Sequence, residues 1–265
     1  MRNRPKISHI QAKLADEPLR LVRAGGITRP HHSGKYDTVD RRIAFGADDT
    51  QGAHFFFRST PADIVNSRVK RSFDVIIGAL SLILLLPVFL VAAAAIKLTS
   101  RGPVLFVQQR YGLNNNLFMI YKFRTMYIDQ CDQTGVEQAR KADQRITPIG
   151  RFLRRYSIDE LPQLINVVKG DMSLVGPRPH VPNMLAAGLP YELLVPNYFE
   201  RHRVRPGLSG LAQAKGFRGC TDDAKQAKTR IDLDLQYIQN WSFGLDLRII
   251  LETLRTQLVR SRDDI

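Results

Sequence analysis

From Val75 to Ile96 the chain reads VIIGALSLILLLPVFLVAAAAI, without a single charged residue. As a helix rising about 1.5 Å per residue, this segment is about 33 Å long, enough to cross a ~30 Å hydrocarbon core. It begins some seventy residues into the chain, which excludes a cleavable secretory signal. Pro87 sits near its middle, where the missing N–H removes one helical hydrogen bond. Arg68, Lys70 and Arg71 precede the segment, and Lys97 and Arg101 follow it. Basic flanks stay on the cytoplasmic side of a membrane. A straight span violates that rule at one end. A helical pair that enters, breaks at Pro87 and returns to the same leaflet violates it at neither. The expectation is therefore a re-entrant pair with both chain ends cytoplasmic. A proline-kinked span and a buried core helix are the alternatives.

The net charge is +14, with 39 Lys and Arg against 25 Asp and Glu. Such a surface calls for an anionic partner: nucleic acid, anionic lipid or a phosphorylated substrate. No helix carries the dense Lys/Arg face of a nucleic-acid reader, and the apolar segment makes that class a poor fit. The two cysteines, Cys131 and Cys220, are too few for a disulfide framework or a Cys-rich metal site. The sequences of a P-loop, a zincin and an α/β-hydrolase nucleophile elbow are all missing.

Residues 1–67 are polar, with turn formers and no periodicity, and read as largely disordered. Within them HFFFRSTPAD (His54–Asp63) has the aromatic and basic mix of a membrane-surface segment. After the apolar segment, VLFVQQ and LFMIYKFRTM read as two strands of a β-hairpin around GLNNN. The stretch from Ile128 to Arg145 reads as loop or exposed helix. LPQLINVVKG has helical spacing and ends at Gly170. GDMSLVGPRP reads as a loop, NMLAAGLPYELLVPNYFERHRV as interrupted helices, and RPGLSGLAQAKG as a Gly-rich turn region. KTRIDLDLQYIQNWS and GLDLRIILETLRTQLV read as two amphipathic helices.

Ser157-Ile158-Asp159-Glu160 matches the S-x-x-E capping box. On that reading the two carboxylates only satisfy a helix N-terminus. Pro162 argues against the full box, because it falls at the fifth helical position if Ser157 is the cap. With Asp159 as the cap, Pro162 falls in the first turn. Either way Asp159 lies at a helix N-terminus, where the dipole and the nearby Arg154 and Arg155 favour its ionised form. The other reading is chemical. An ionised carboxylate among arginines can attack phosphorus while the arginines offset the substrate's charge. A neighbouring carboxylate can share a divalent metal with the phosphates. Arg178, between Pro177 and Pro179, is presented on a stiff loop suited to a fixed anion contact. Lys122 and Arg124 lie on one face of the second strand, with Phe123 on the other. Arg201, Arg203 and Arg205 precede a glycine turn, and His202 among them reads as structural.

Taken together, K-R-x-x-D (Lys70–Asp74), G-P-V-L-F-x-Q-x-R-x-G (Gly102–Gly112), K-F-R-T-M (Lys122–Met126), the run from Asp159 to Pro179, R-P-G-L-S-G-L-A-Q (Arg205–Gln213) and D-x-x-Y-I-x-N-W-S (Asp234–Ser242) form one pattern. It resembles the bacterial sugar transferases, the monotopic polyprenyl-phosphate hexose-1-phosphate transferases that begin exopolysaccharide and O-antigen synthesis. The resemblance runs from about Ser67 to Leu254. It implies an α+β fold, mainly helical with a short β-hairpin, on a re-entrant, proline-broken helix with interfacial amphipathic helices. The implied parts are a polar extension (1–67), a membrane re-entrant pair (68–101) and a cytoplasmic catalytic domain (102–265) at the inner face of the cytoplasmic membrane.

The implied reaction moves a phosphosugar from a UDP-hexose to undecaprenyl phosphate and releases UMP. Asp159 would be the nucleophile of a phosphosugar–enzyme intermediate, assisted by Glu160, with Mg²⁺ held by the pair. Lys122, Arg124 and Arg178 would contact phosphates, joined on the charge argument above by Arg154 and Arg155. Arg205, Gly207, Gly210 and Gln213 would lie in the nucleotide or sugar region. Ala212 stands where many members carry Trp, which leaves sugar specificity open; glucose or galactose is the expected hexose. The polar extension sets the chain closer to the smaller, exopolysaccharide-type members. The bilayer is an expected partner, nucleic acid is not, and the sequence allows a homodimer without requiring one. Two other functions compete: a membrane-bound glycosyltransferase that releases UDP, and a non-catalytic membrane binding protein whose dyad is only a cap.

Overall fold

The computed structural model describes residues 60–130, 136 and 143–259. The N-terminal extension up to residue 59, and most of the polar stretch from Ile128 to Arg145, lie outside them. So do the first six residues of the His54–Asp63 segment. Its last residues begin a short helix, α1 (Pro61–Val65), under a capping box formed by Thr60 and Asp63.

The apolar segment forms two helices, α2 (Arg68–Leu84) and α3 (Leu86–Thr99). No single helix among the described residues is long and apolar enough to cross a membrane, but the pair meets that test together and bends by 59° at its break. Pro87 lies in the first turn of α3, where a missing N–H is tolerated. The α2 ladder therefore ends at Leu85, whose N–H donates to the Ser81 carbonyl (2.9 Å). Ser67 opens α2 by accepting from the Lys70 amide.

The expected β-hairpin is present. β1 (Leu105–Tyr111) pairs antiparallel with β2 (Leu117–Phe123), from Leu105↔Phe123 to Tyr111↔Leu117. Next come α4 (Pro148–Arg155), capped by Thr147, and α5 (Gln163–Lys169). α5 ends at Gly170, whose φ of 107° suits a residue without a Cβ. Three stretches depart from expectation. Within GDMSLVGPRP, Ser173–Val175 forms β3; β4 (Leu185–Ala186), β5 (Leu189–Pro190) and the short helix α6 (Tyr191–Leu194) follow; and Gly207–Ser209 forms β6. β3 and β6 pair in parallel, Ser173↔Gly207 and Val175↔Ser209. The pairing is close: a Cβ on Gly207 would lie 2.1 Å from the Gly176 amide. The interrupted helices expected before Val204 are instead β4, β5, α6 and a 3₁₀ turn at Tyr198–Arg203. A one-turn helix α7 (Leu211–Ala214) leads to the long helices α8 (Ala224–Gln239) and α9 (Phe243–Val259), both as expected.

The fold is thus mixed and mostly helical. One core cluster gathers Val167, Met172, Val175, Tyr237 and Ile249, tying α5 and β3 to α8 and α9. A second joins Ala92 and Ile96 of α3 to Phe123 and Leu153. α2 packs on α5, and Arg71 donates to the Val167 (2.6 Å) and Val168 (2.9 Å) carbonyls at the end of α5. The bent pair is thereby fixed to the helix that follows the Asp-Glu dyad. Its outer face stays apolar and bare: Leu84 is 78% exposed and Val91 70%.

Candidate active site

Asp159 and Glu160 lie in a 3₁₀ turn, Ile158–Glu160, between α4 and α5. The capping box is not formed there. Ser157 has φ 53°, in the left-handed region, and its side chain caps nothing. Pro162 takes the N-cap position of α5, so Asp159 stands before the helix rather than capping it. Three elements converge on the turn. β2 supplies Lys122, whose Nζ donates to Glu160 Oε1 (2.8 Å). The loop after β3 supplies Arg178, which donates to both Glu160 oxygens (Nη2 to Oε1, 2.5 Å; Nη1 to Oε2, 3.2 Å). α4 supplies Arg154, whose Nε donates to Thr125 Oγ1 (2.9 Å).

Asn166 sets the distance between β2 and the dyad. It is fully buried. Its Oδ1 accepts from the Tyr121 amide (3.0 Å) and its Nδ2 donates to the Met119 carbonyl (2.7 Å). The side chain thus pairs with the β2 edge much as a strand would. That contact holds α5, and the turn before it, against Lys122.

The two carboxyls are driven apart. Burial works against the charge on Glu160, but Arg178 and Lys122 outweigh it and hold its carboxyl well below the usual range. Asp159 is pushed up to about 6, by burial first and by the charge of Glu160 second, against the pull of Lys122, Arg154 and Arg178. This reverses the sequence expectation of a carboxylate favoured as the ion. Among the described residues, no group donates a hydrogen bond to the Asp159 carboxyl. Adjacent carboxyls with opposed shifts are the mark of divided roles, one charged and one tunable.

The dyad opens on a cavity of about 950 Å³. Lys122, Arg124, Arg154, Arg178 and Gln213 line it as expected from the sequence. Arg124 does so while its guanidinium donates to the Ser100 Oγ and carbonyl and to the Arg101 carbonyl, tying β2 to the exit of α3. Four expected residues lie elsewhere. Arg155 is exposed, with its guanidinium 5.9 Å from the Tyr156 ring. Arg205 donates to the Gly170 carbonyl (3.0 Å), near Lys70, Arg71 and Asp74. Gly207 and Gly210 pack against the Gly176 backbone. His202 is buried outside the cavity, bonded to Asn115 and stacked 4.9 Å from Tyr111, which fits its structural reading.

The cavity also holds residues that were not singled out. Arg110 donates to the Pro179 carbonyl (3.3 Å); burial, and then Arg178, lower its pKa to about 10. Period two along β1 carries the signal, since Phe106 pairs with Lys122 and Arg110 lies on the same face four residues further on. His180 also lines the cavity. Burial, and then Arg201 and Arg110, hold it well below its usual pKa, so it stays neutral. Arg218 and Arg230 lie at the end marked by Gln213 and Cys220, with no pattern around them in the sequence to flag them. Apolar side chains also line it, among them Ile77 and Leu85 of the bent pair, Leu164, Leu208, and Ile250 and Leu254 of α9.

No group of three or more His, Cys, Asp or Glu able to hold a metal occurs among the described residues. A Mg²⁺ ion does not need one. It keeps several waters and binds through one or two carboxylates plus substrate phosphates. Both Glu160 oxygens are already engaged, while the Asp159 carboxyl is free, so the dyad offers a sufficient donor set only with a phosphorylated ligand present.

The chain is 50% identical over 194 residues to an exopolysaccharide production protein of Rhizobium leguminosarum bv. phaseoli, covering 73% of this chain and 97% of that one. It is 46% identical over 195 residues to a UDP-glucose:undecaprenyl-phosphate glucose-1-phosphate transferase of Klebsiella pneumoniae (74% of this chain, 41% of that one). It is 42% identical over 190 residues to a UDP-N-acetylgalactosamine-undecaprenyl-phosphate N-acetylgalactosaminephosphotransferase of Aeromonas hydrophila (72% and 44%). The chain thus spans less than half the length of the last two. The family model described as bacterial sugar transferase matches residues 65–260. With most of its length matched, and with the dyad and its basic cavity inside the match, this chain belongs to the bacterial sugar transferase family.

Proposed function

We propose that this chain transfers a hexose-1-phosphate from a UDP-hexose to undecaprenyl phosphate at the cytoplasmic face of the cytoplasmic membrane. The single observation that carries the reading is the Asp159 carboxyl: free of hydrogen bonds among the described residues, and facing a cavity lined by Lys122, Arg154 and Arg178. In the first step an Asp159 oxygen attacks the β-phosphorus of the donor. The bond from that phosphorus to the bridging oxygen breaks, and UMP leaves with the oxygen. The hexose-1-phosphoryl group remains on Asp159 as an acyl phosphate. In the second step an oxygen of the lipid phosphate attacks the same phosphorus, and the Asp159 carboxylate is restored. Neither step requires a proton, which suits a cavity whose one histidine among the described residues, His180, stays neutral. Lys122 and Arg178 hold Glu160 as an anion and present their remaining charge to the phosphates. A bound Mg²⁺, held by Asp159 and Glu160 with the diphosphate, would supply further neutralisation of phosphate charge.

The relatives named for glucose and for N-acetylgalactosamine transfer support a hexose donor without fixing which one. The bent, apolar α2–α3 pair supports a re-entrant membrane anchor, and the apolar cavity wall beside its break suits a lipid acceptor. The test is nucleotide release from detergent-solubilised protein with Mg²⁺ and a panel of UDP-sugars, with and without undecaprenyl phosphate. UMP from one donor, lost in Asp159→Asn, is the expected result. UDP in place of UMP would overturn the phosphosugar step and leave a simple glycosyl transfer.

A further inference from the structure

Arg178 reaches Glu160 from a loop in which the four carbonyls from Pro177 to His180 each accept a hydrogen bond. The Pro177 carbonyl accepts from the Gly207 amide (2.9 Å), and that of Arg178 from Arg201 Nη2 (2.5 Å). The Pro179 carbonyl accepts from Arg110 Nη1 (3.3 Å), and that of His180 from the Tyr111 amide (2.9 Å). At the entrance, the Gly176 amide donates to the Ser209 carbonyl (2.9 Å). The two prolines bring no N–H, so the loop is fixed chiefly through these acceptors.

Arg201 differs from the other donors. It is 1% exposed and lines no part of the cavity. Its Nε and Nη2 both donate to Asp234 Oδ2 (2.9 and 2.7 Å), and its guanidinium lies 5.6 Å from the Tyr198 ring. A buried ion pair returns little net stability once its desolvation is counted. This pair does something a hydrophobic pair could not: it aims a charged N–H at the carbonyl of the cavity arginine itself. The planar fork of an arginine can meet Asp234 and that carbonyl together; a lysine offers no such fork.

We infer that Arg201 and Asp234 are positioning residues for Arg178, setting the loop backbone from which its guanidinium reaches Glu160 and the substrate phosphate. The inference rests on the proposed role of Arg178 at the phosphate and extends it to a buried pair outside the cavity. It is tested by a double-mutant cycle on kcat/KM for nucleotide release, joined to hydrogen exchange at the Gly176 and Gly207 amides in the unliganded protein. Arg201→Lys is expected to lower kcat/KM by about 10- to 100-fold, the range for a catalytic group displaced by an ångström or less. Arg178→Lys with Arg201→Lys should be no worse than Arg178→Lys alone, within about twofold, because the two act through one guanidinium. Exchange at Gly176 and Gly207 should quicken in Arg201→Lys while the α8 amides keep their protection. Multiplying losses in the cycle, or exchange that quickens throughout the chain, would reduce the pair to a general core contact and overturn the inference. If the wild type releases no nucleotide from any donor, the proposed reaction falls. The exchange arm then decides alone, and unchanged rates at Gly176 and Gly207 would overturn the positioning claim.

Discussion

Asp159 and Glu160 are neighbours in sequence but face opposite electrostatic conditions. Glu160 lies under two cations, and Asp159 lies half-buried with no hydrogen-bond donor to its carboxyl among the described residues. The sign of each effect on stability follows. A carboxyl raised in the folded state, as Asp159 is, holds its proton more tightly folded than unfolded. Stability from it is greatest below the unfolded value near 4 and falls as pH rises toward about 6. At pH 7.5 its charge is therefore a cost. Asp159→Asn should abolish turnover yet leave the melting temperature equal to or above that of the wild type. A drop worth about 1 kcal/mol would instead restore the helix-cap reading. Glu160 has the opposite sign, with stability present at neutral pH and lost as pH falls through its depressed value. Glu160→Gln leaves Lys122 and Arg178 facing each other, and should cost about 1–3 kcal/mol in chemical denaturation. In the free enzyme, kcat/KM should rise with pH, reaching half its maximum near 6, because only the ionised Asp159 attacks. A profile flat from pH 5 to 8 would exclude Asp159 as the titrating nucleophile. The dyad was legible in the sequence as two carboxylates among arginines. Its electrostatics were not, because the cations that divide it, Lys122 and Arg178, arrive from a strand and a loop with no local link to it. The cap reading failed for a local reason: Ser157 adopts a left-handed backbone that nothing in the motif signals.

At the scale of elements, periodicity made the long helices and the β1–β2 hairpin readable, and Pro87 marked the break between α2 and α3. The β3–β6 pair was not readable. Each strand is three residues long, their pairing is distant in sequence, and their glycines and prolines read as turns. Yet this pair carries the Arg178 loop. The Asn166 contact was equally hidden, since an asparagine inside a helix reads as a surface residue until β2 is seen beside it. Asn166→Ala should strand the Tyr121 amide and the Met119 carbonyl, costing about 2–4 kcal/mol in total. The expected result in denaturant unfolding is that loss, with turnover falling at temperatures where the fold is intact, because α5 and the dyad lose their distance from Lys122. Wild-type stability in this variant would mean that the β2 edge finds other partners, and that Asn166 does not hold α5 in place.

For the molecule as a whole, the proposed donor is soluble and anionic while the proposed acceptor carries its phosphate on an apolar chain. A site that serves both must be basic on one side and open to lipid on another. The cavity combines cationic and apolar lining residues. Its cations gather at the dyad, and its apolar lining includes Ile77 and Leu85, at or near the break of a helical pair whose outer face is bare. The pair bends by 59° at the break, where Leu85 lines the cavity, and Pro87 stands in the first turn of α3, where its ring and missing N–H oppose a continuous ladder. A proline in a helix interior costs about 3 kcal/mol relative to alanine, so Pro87→Leu would favour one continuous apolar helix by a similar amount. A continuous helix of that length crosses the bilayer and must carry one basic flank to the far side, against the positive-inside rule. Two measurements in membrane vesicles of defined orientation test this: protease access to tags at both termini, and retention of the protein after a high-salt wash. In the wild type, both tags should be cut from the cytoplasmic side alone and the protein should stay with the membrane. In Pro87→Leu, a measurable fraction should show tags on opposite sides, with turnover falling in proportion as the cavity wall is drawn away from the dyad. Opposite-sided tags in the wild type would mean that the pair spans the bilayer, and the two ends of the chain would then work in different compartments. Tags on one side in both proteins would show that the packing of Arg71 and α2 on α5, rather than the proline, holds the bend.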